Sequence, residues 1–355
     1  MKKTFLVLLF ALICNISNGQ NKVEAEKLVN EGVAYHDKGD FDGALSKYDK
    51  ALELDKENLL ALAEKAYSLF SLQRYDESIN CCQRAITAHP GDKGLKTVYV
   101  TFGNALDGLK KTDKSIEIYD LGIKEFPDYY HLYFNKGVSL SSVKKYEEAI
   151  LCFQKAVLLN PKHASSHNAI ARLSNIIDKR IPSILAYCRF LVIETKSNRA
   201  KENLSSLQNL MKGNTEKTGE KSVTIHINSN MFGDTTENGK PTENSFVTTD
   251  LILAFDAVVD FDKKNKKKTE IELFLRKFET ICASLKETYK DNYGFFWDYY
   301  VPYFIEMKDN NFLETFSYIV LASGEDAKVS KWLKENKSAT EKFYEWSKSY
   351  KWKTN

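Results

Sequence analysis

The chain has 355 residues, enough for about two domains of ordinary size, each able to bury a core. Lys+Arg 51 against Asp+Glu 48 leaves a formal charge of +3, too near balance for a nucleic-acid or membrane-surface footprint. Glycine at 16, proline at 6 and 28% charged residues exclude a turn-rich sandwich, a barrel or a disordered chain, and point to long helices in an all-α protein.

The chain begins with Lys2 and Lys3, then an unbroken apolar run from Phe5 to Ile13, then the small residues Ser17 and Gly19 before Gln20. The run would make a helix of about 14 Å, short of the ~30 Å hydrocarbon core of a bilayer. The pattern is that of a signal peptide over 1–19, cleaved near Gly19, and the mature protein is expected to be periplasmic or extracellular. Cys14 follows Ile13 where lipoprotein processing needs a small residue, so lipidation is not expected. Beyond the leader stand Cys81, Cys82, Cys152, Cys188 and Cys282, an odd number with two adjacent. That fits small apolar helix residues better than a disulfide framework. No later apolar stretch reaches membrane-spanning length without charges.

From about residue 22 the chain repeats itself roughly every 34 residues. A small residue recurs at Gly32, Ala66, Gly103 and Gly137, and an aromatic follows at Phe41, Tyr75 and Tyr146, with Thr112 in that place in the third copy. Small residues return at Ala44, Ser78, Ser115 and Ala149; bulky or apolar ones at Tyr48, Cys82, Tyr119 and Phe153; small ones again at Ala51, Ala85, Gly122 and Ala156. Units close on Lys56, Pro90, Pro127 and Pro161. Small residues let two antiparallel helices approach, bulky ones fill the gap to the next pair, and proline stops the second helix. A fifth copy has Ala171 and Tyr187 in phase, but Phe190 where a small residue is usual and Thr195 in place of the closing proline.

These positions, and stretches such as GVAYHDKGDFDGALSKYDKALELD from Gly32, resemble the tetratricopeptide-repeat (TPR) family. The resemblance covers about residues 22–212, with repeats near 25–58, 59–92, 96–129, 130–163 and 164–197 and a capping helix over 198–211. It implies a superhelical solenoid of four to five helix pairs, with a groove lined by one face of each first helix. Carried onto this chain, that face holds Val29, Val33 and His36; Ala63, Tyr67 and Phe70; Val100, Asn104 and Asp107; Phe134, Val138 and Ser141; and Asn168, Arg172 and Asn175. The candidate binding set is Val29, Val33, His36, Tyr67, Phe70, Asn104, Phe134, Val138 and Arg172. Some members of the family grip a C-terminal carboxylate with Lys-x-x-x-Asn, but here those pairs read Val29/Val33 and Phe134/Val138, so that clamp is absent. An apolar, partly aromatic groove suits a hydrophobic strand or helix of a protein or peptide partner, unless the chain's own capping helix or C-terminal half fills it.

Residues 213–249 are rich in Gly, Asn, Thr and Ser and read as a linker or loop, with Val223, Ile225 and Ile227 alternating as a short strand that lacks an evident partner. Past Asp250, a candidate helix cap, a small helical C-terminal domain is expected over 250–355. Ile271, Phe274, Phe278, Ile281, Leu285 and Tyr289 form one stripe, and further helices are expected near 293–307, 310–322, 327–336 and 338–350. Between Tyr293 and Phe304 eight of twelve residues are aromatic, the core of that domain or a sugar or peptide platform.

Reactive constellations are weak. His163 and His167 stand four apart, but no carboxylate or thiolate ligand is near them in sequence, so no metal site is expected. The glycines of GNTEKTGEKS are misplaced for a phosphate loop, and neither Gly-x-Ser-x-Gly nor His-Glu-x-x-His occurs. The basic run Lys263–Lys268 reads as a solvated turn. The expectation is a non-enzymatic, cofactor-free, exported TPR protein, an envelope scaffold or assembly factor that captures a partner segment. The alternative makes its C-terminal domain a carbohydrate-binding or hydrolytic unit; self-association through the groove is a third reading.

Overall fold

A run of amphipathic helices punctuated every 34 residues must turn at fixed places, and the backbone shows where. The computed structural model describes residues 21–213, 215–219, 222–225, 241–262, 265 and 268–353. The leader over 1–19, Ile227 and most of the Lys263–Lys268 run lie outside the described residues. The chain divides into two compact units, Met1–Cys152 and Phe153–Asn355.

The first unit holds α1 (21–36), α2 (Phe41–Leu54), α3 (Leu59–Ser71), α4 (Tyr75–Ala88), α5 (Leu95–Gly108), α6 (Thr112–Glu125), α7 (Tyr130–Ser142) and the start of α8 (Tyr146–Leu159). Every first helix ends the same way. Gly39, Gln73, Lys110, Lys144 and, in the second unit, Asp178 adopt φ of 79°, 60°, 59°, 62° and 58°. The next amide donates back to the carbonyl five residues earlier: Asp40 to Tyr35 at 3.0 Å, Arg74 to Leu69 at 2.8 Å, Lys111 to Leu106 at 2.9 Å, Lys145 to Leu140 at 3.0 Å, Lys179 to Ser174 at 2.8 Å. This left-handed cap reverses the chain and returns the second helix along the first. The longer step from Gln73 to Lys110 takes up the three extra residues near Gly91–Gly94.

The small–bulky code works as expected. A Cβ added at Gly32 would run into the Tyr48 ring, and one at Gly103 into the Tyr119 ring, so each tyrosine fills the space its glycine leaves. Ser78 donates to the Ala66 carbonyl at 2.7 Å, and Ser183 makes the same bond to Ala171 at 2.8 Å in the fifth copy. The core of the first unit is continuous, from Ala25 and Val29 through Tyr48, Leu62, Cys82 and Phe102 to Tyr119 and Leu132.

The second unit comprises α9 (Ala164–Ile176), α10 (Arg180–Ile193), α11 (Asn198–Lys212), α12 (Val247–Val258), α13 (Glu270–Thr288), α14 (Phe295–Asp309), α15 (Leu313–Val320), α16 (Ala327–Glu335) and α17 (Lys337–Ser349). Its centre is α10, where every residue from Ile181 to Val192 is buried. That helix packs against α9 and α11 in repeat fashion and also against α12, α14 and α15. Phe190, where a small residue is usual, is fully buried, with the Arg199 guanidinium of α11 over its ring at 5.4 Å. The strand pattern has a partner after all: β1 (Thr215–Lys217) pairs antiparallel with β2 (Val223–Ile225), Thr215 opposite Ile225. Thr-Glu-Lys carries no apolar alternation to reveal it. Asp250 is not a cap; it lies in the first turn of α12, where its Oδ1 accepts from Arg180 Nη1 at 3.0 Å.

Candidate protein-docking face

In the first unit the first helices form a row: α3 packs on α5 and α5 on α7. The join from α1 to α3 is made by His36, which stacks on Tyr67 with ring centroids 4.9 Å apart and hydrogen-bonds Ser68 Oγ through Nδ1 at 2.7 Å. The join from α5 to α7 is polar. The Asp107 carboxylate accepts from Ser139 Oγ on α7 and, at 2.9 Å, from Ser115 Oγ. One turn back, Asn104 Oδ1 accepts from the Tyr119 hydroxyl at 2.7 Å.

On this row the predicted residues divide. Tyr67 is 48% exposed and Val138 47%. Val33, Phe70 and Phe134 are half-buried, Phe70 lying against Tyr75 with centroids 5.8 Å apart. Val29 does not line the face: it is 0% exposed, because its turn of α1 points into the core between Ala25 and Tyr48. Arg172 is exposed on α9, in the second unit, where the half-buried Asn168 also lies.

Two residues that the apolar reading missed belong with the face. Glu64 follows Ala63 on α3 and sits in the field of Asp37, at the end of α1. Burial raises its carboxyl above the usual range, and the Asp37 charge adds to the rise. The signal was present, since Glu64 is three residues before Tyr67 and so shares its side of the helix. Leu60, 45% exposed one turn earlier on α3, was likewise absent from the candidate set.

The aromatic run of the second unit is core except for Tyr293, 54% exposed, and the half-buried Phe295. Phe296, Trp297, Tyr299, Tyr300, Tyr303 and Phe304 are all buried, their faces covered by other rings: Phe246 stacks on Trp297 at 4.5 Å and Trp352 on Tyr299 at 4.5 Å. Their polar ends are satisfied. Trp297 Nε1 donates to the Ser245 carbonyl at 2.9 Å, and the Tyr299 hydroxyl to the Val157 carbonyl at 3.1 Å. His167, 0% exposed, has both nitrogens in use, at 3.0 Å from the Pro161 carbonyl and 2.7 Å from the Tyr300 hydroxyl. The carbonyl only accepts, so Nε2–H is the donor and Nδ1 accepts from Tyr300. Burial, with the Arg189 charge adding, pulls this imidazole down to about 3. His163 instead bonds Ser166 Oγ at 2.7 Å.

Arg189 is 3% exposed, its guanidinium lying over the Tyr303 and Trp352 rings at 5.1 and 4.8 Å and bonding Ser347 Oγ at 3.0 Å. The acids near the aromatic run point outward: Asp298 pairs with Lys353 at 3.5 Å, and Glu306 accepts from Trp346 Nε1 at 3.0 Å. Among the described residues no three His, Cys, Asp or Glu side chains gather as metal ligands, and no helix is long and apolar enough to cross a membrane.

Two segments, 29–93 and 131–163, match family models described as tetratricopeptide repeat. Protein STIP1 homolog of Dictyostelium discoideum is 28% identical over 169 residues, covering 39% of this chain and 30% of its own length. The Hsp70-Hsp90 organizing protein of Triticum aestivum is 28% identical over 170 residues, covering 38% of this chain and 29% of its own. The chain thus spans less than a third of either relative. Among solved structures, a thermophilic TPR protein of Thermus thermophilus aligns with a TM-score of 0.44 at 15% identity, over 53% of this chain and 98% of that one.

Proposed function

We propose that this tetratricopeptide-repeat protein works by binding, holding a segment of a protein partner on the first-helix row of residues 21–152. The observation that carries the reading is the pair of large apolar side chains, Tyr67 and Val138, left about half exposed on the first helices α3 and α7, with Leu60, Phe70 and Phe134 only partly covered on the same two helices. Around them His36, Asn104 and Asp107 are tied by hydrogen bonds, so the face is set before a partner arrives and little ordering entropy is lost. A relative named an organizing protein for Hsp70 and Hsp90 supports a protein as the partner class.

The apolar leader over 1–19 supports export, with the protein serving outside the cytoplasm as a scaffold or assembly factor of the envelope. Cross-linking in the native cell tests both parts. The partner captured by the full chain should be lost from Tyr67→Ala/Phe134→Ala while the helical circular dichroism stays unchanged. Capture that survives the double change refutes the face. A mature N-terminus other than one near Gln20 refutes the export reading.

A further inference from the structure

We propose that the partner segment is not only apolar but cationic: an extended stretch bearing lysine or arginine, held by carboxylates on the same row as Tyr67 and Val138. This rests on the docking face argued above and specifies its chemistry.

On α3, α5 and α7 the basic side chains can be accounted for helix by helix, while α1 carries Lys22 and Lys27, the latter 3.5 Å from Glu24, and Lys38 follows Asp37 in the turn. The lone lysine of α3, Lys65, is drawn off the face by Asp49 of α2 at 2.5 Å, and the lone lysine of α7, Lys136, by Asp120 of α6 at 2.5 Å. Lys96, the lone lysine of α5, lies over the Tyr129 ring at 5.3 Å. None of these three helices contains arginine. The acids show the opposite arrangement. Among the described residues Asp37, Glu64 and Asp107 make no ion pair, although Glu31 on α1 does, with Lys47 at 2.6 Å.

Glu64 is partly buried beside the like charge of Asp37, an arrangement that costs stability unless a cation arrives. Asp107 spends one oxygen on two serine hydroxyls, and its Oδ1 is buried without a hydrogen-bond partner, so it acts on the row through its charge. Partly desolvated carboxylates beside exposed apolar side chains match a ligand that offers both an apolar surface and an ammonium or guanidinium group. An acidic segment would meet repulsion at each of these positions.

Fluorescence anisotropy on the full chain tests this with a labelled decapeptide of leucine, valine and serine carrying two lysines, beside sister peptides with glutamine or glutamate in the lysine positions. The lysine peptide should bind about tenfold tighter than the glutamine peptide, and the glutamate peptide weakest. Glu64→Gln, nearly isosteric, should remove most of the preference for the lysine peptide over the glutamine peptide. Tyr67→Ala should weaken all three peptides. Equal or better binding of the glutamate peptide overturns the charge inference. If that result comes with loss on Tyr67→Ala, the docking face stands without it. If the lysine peptide binds but ignores Tyr67→Ala, the face itself is wrong, and if it does not bind at all the cationic inference is wrong.

Discussion

Acid should destabilise the second unit through one buried side chain. His167 is fully buried, with its neutral form fixed between Pro161 and Tyr300, and its pKa is held at about 3 against an ordinary value of 6.5. In the unfolded chain the ring takes a proton near pH 6.5, while in the folded one it resists to about 3. A group whose folded pKa is depressed by burial of its neutral form contributes fully above the unfolded value, and that contribution is lost as pH falls from about 6.5 toward 3. At about 1.36 kcal/mol per unit the loss between about pH 7 and about pH 4 is about 3 kcal/mol, in order of magnitude.

All four tryptophans, Trp297, Trp332, Trp346 and Trp352, lie in the second unit, so tryptophan fluorescence in a urea titration reads that unit alone. Carboxylates titrate over the same range, so the comparison is with His167→Gln, which retains a donor for the Pro161 carbonyl and cannot titrate. The variant should be less stable at pH 7, where it lacks the Tyr300 bond, and should lose about 3 kcal/mol less than the wild type on going to pH 4. Parallel losses in the two proteins would refute the assignment of His167 as the acid-sensitive group.

Two further outcomes follow from the backbone and the buried charges. Lys110→Gly should stabilise the first unit by about 0.5–1 kcal/mol, since φ of 59° is a left-handed position that glycine takes without cost, whereas Gly39→Ala at φ of 79° should destabilise it by a similar amount; thermal melts by circular dichroism check both. Asp250→Asn removes the carboxylate beside Arg180, whose guanidinium also bonds the Leu210 carbonyl at 2.9 Å, and should cost about 3 kcal/mol by stranding a buried charge; an unchanged urea midpoint would show that solvent reaches the pair.

The array was legible because each constraint repeats. One small residue facing one bulky one recurs in all five copies, a closing proline in three of them, so the copies reinforce a pattern that one alone would leave ambiguous. The same phase places Tyr67 and Val138 on the outer side of their helices, where both are about half exposed. Val29 failed because helical spacing defines a side, not a depth: the boundary between wall and core falls within a single turn of α1, between Val29 and Val33. The acids failed for a different reason. An exposed acid on a helix normally reads as solvated, and Glu64 is distinguished only by where the lysines went, which depends on Asp49 and Asp120 of the preceding helices.

The fifth copy shows what a repeat code loses when a second core is added. In α4 only Ser78, Cys81, Cys82 and Ala85 are buried, a single stripe, and the rest of the helix is polar or only partly covered. In α10 the equivalent stretch, RIPSILAYCRFLVI, keeps the in-phase Ser183 and its bond to Ala171 but has Ile181, Leu185, Cys188 and Val192 where α4 has Asp76, Asn80, Gln83 and Thr87. A helix apolar all round must be covered all round. That much could be read from the sequence. Which elements supply the cover could not, because α14 and α15 lie more than a hundred residues downstream and their aromatics carry no repeat phase. Arg189 is the residue that ties the two together. It is the charge within the buried stretch Ile181–Val192, and no carboxylate neutralises it among the described residues; Tyr303, Ser347 and the Trp352 ring, all from the last sixty residues, hold it. The same charge depresses the pKa of His167. The fifth helix pair and the C-terminal helices are thus parts of one fold, coupled through a guanidinium and an imidazole that neither part could bury alone.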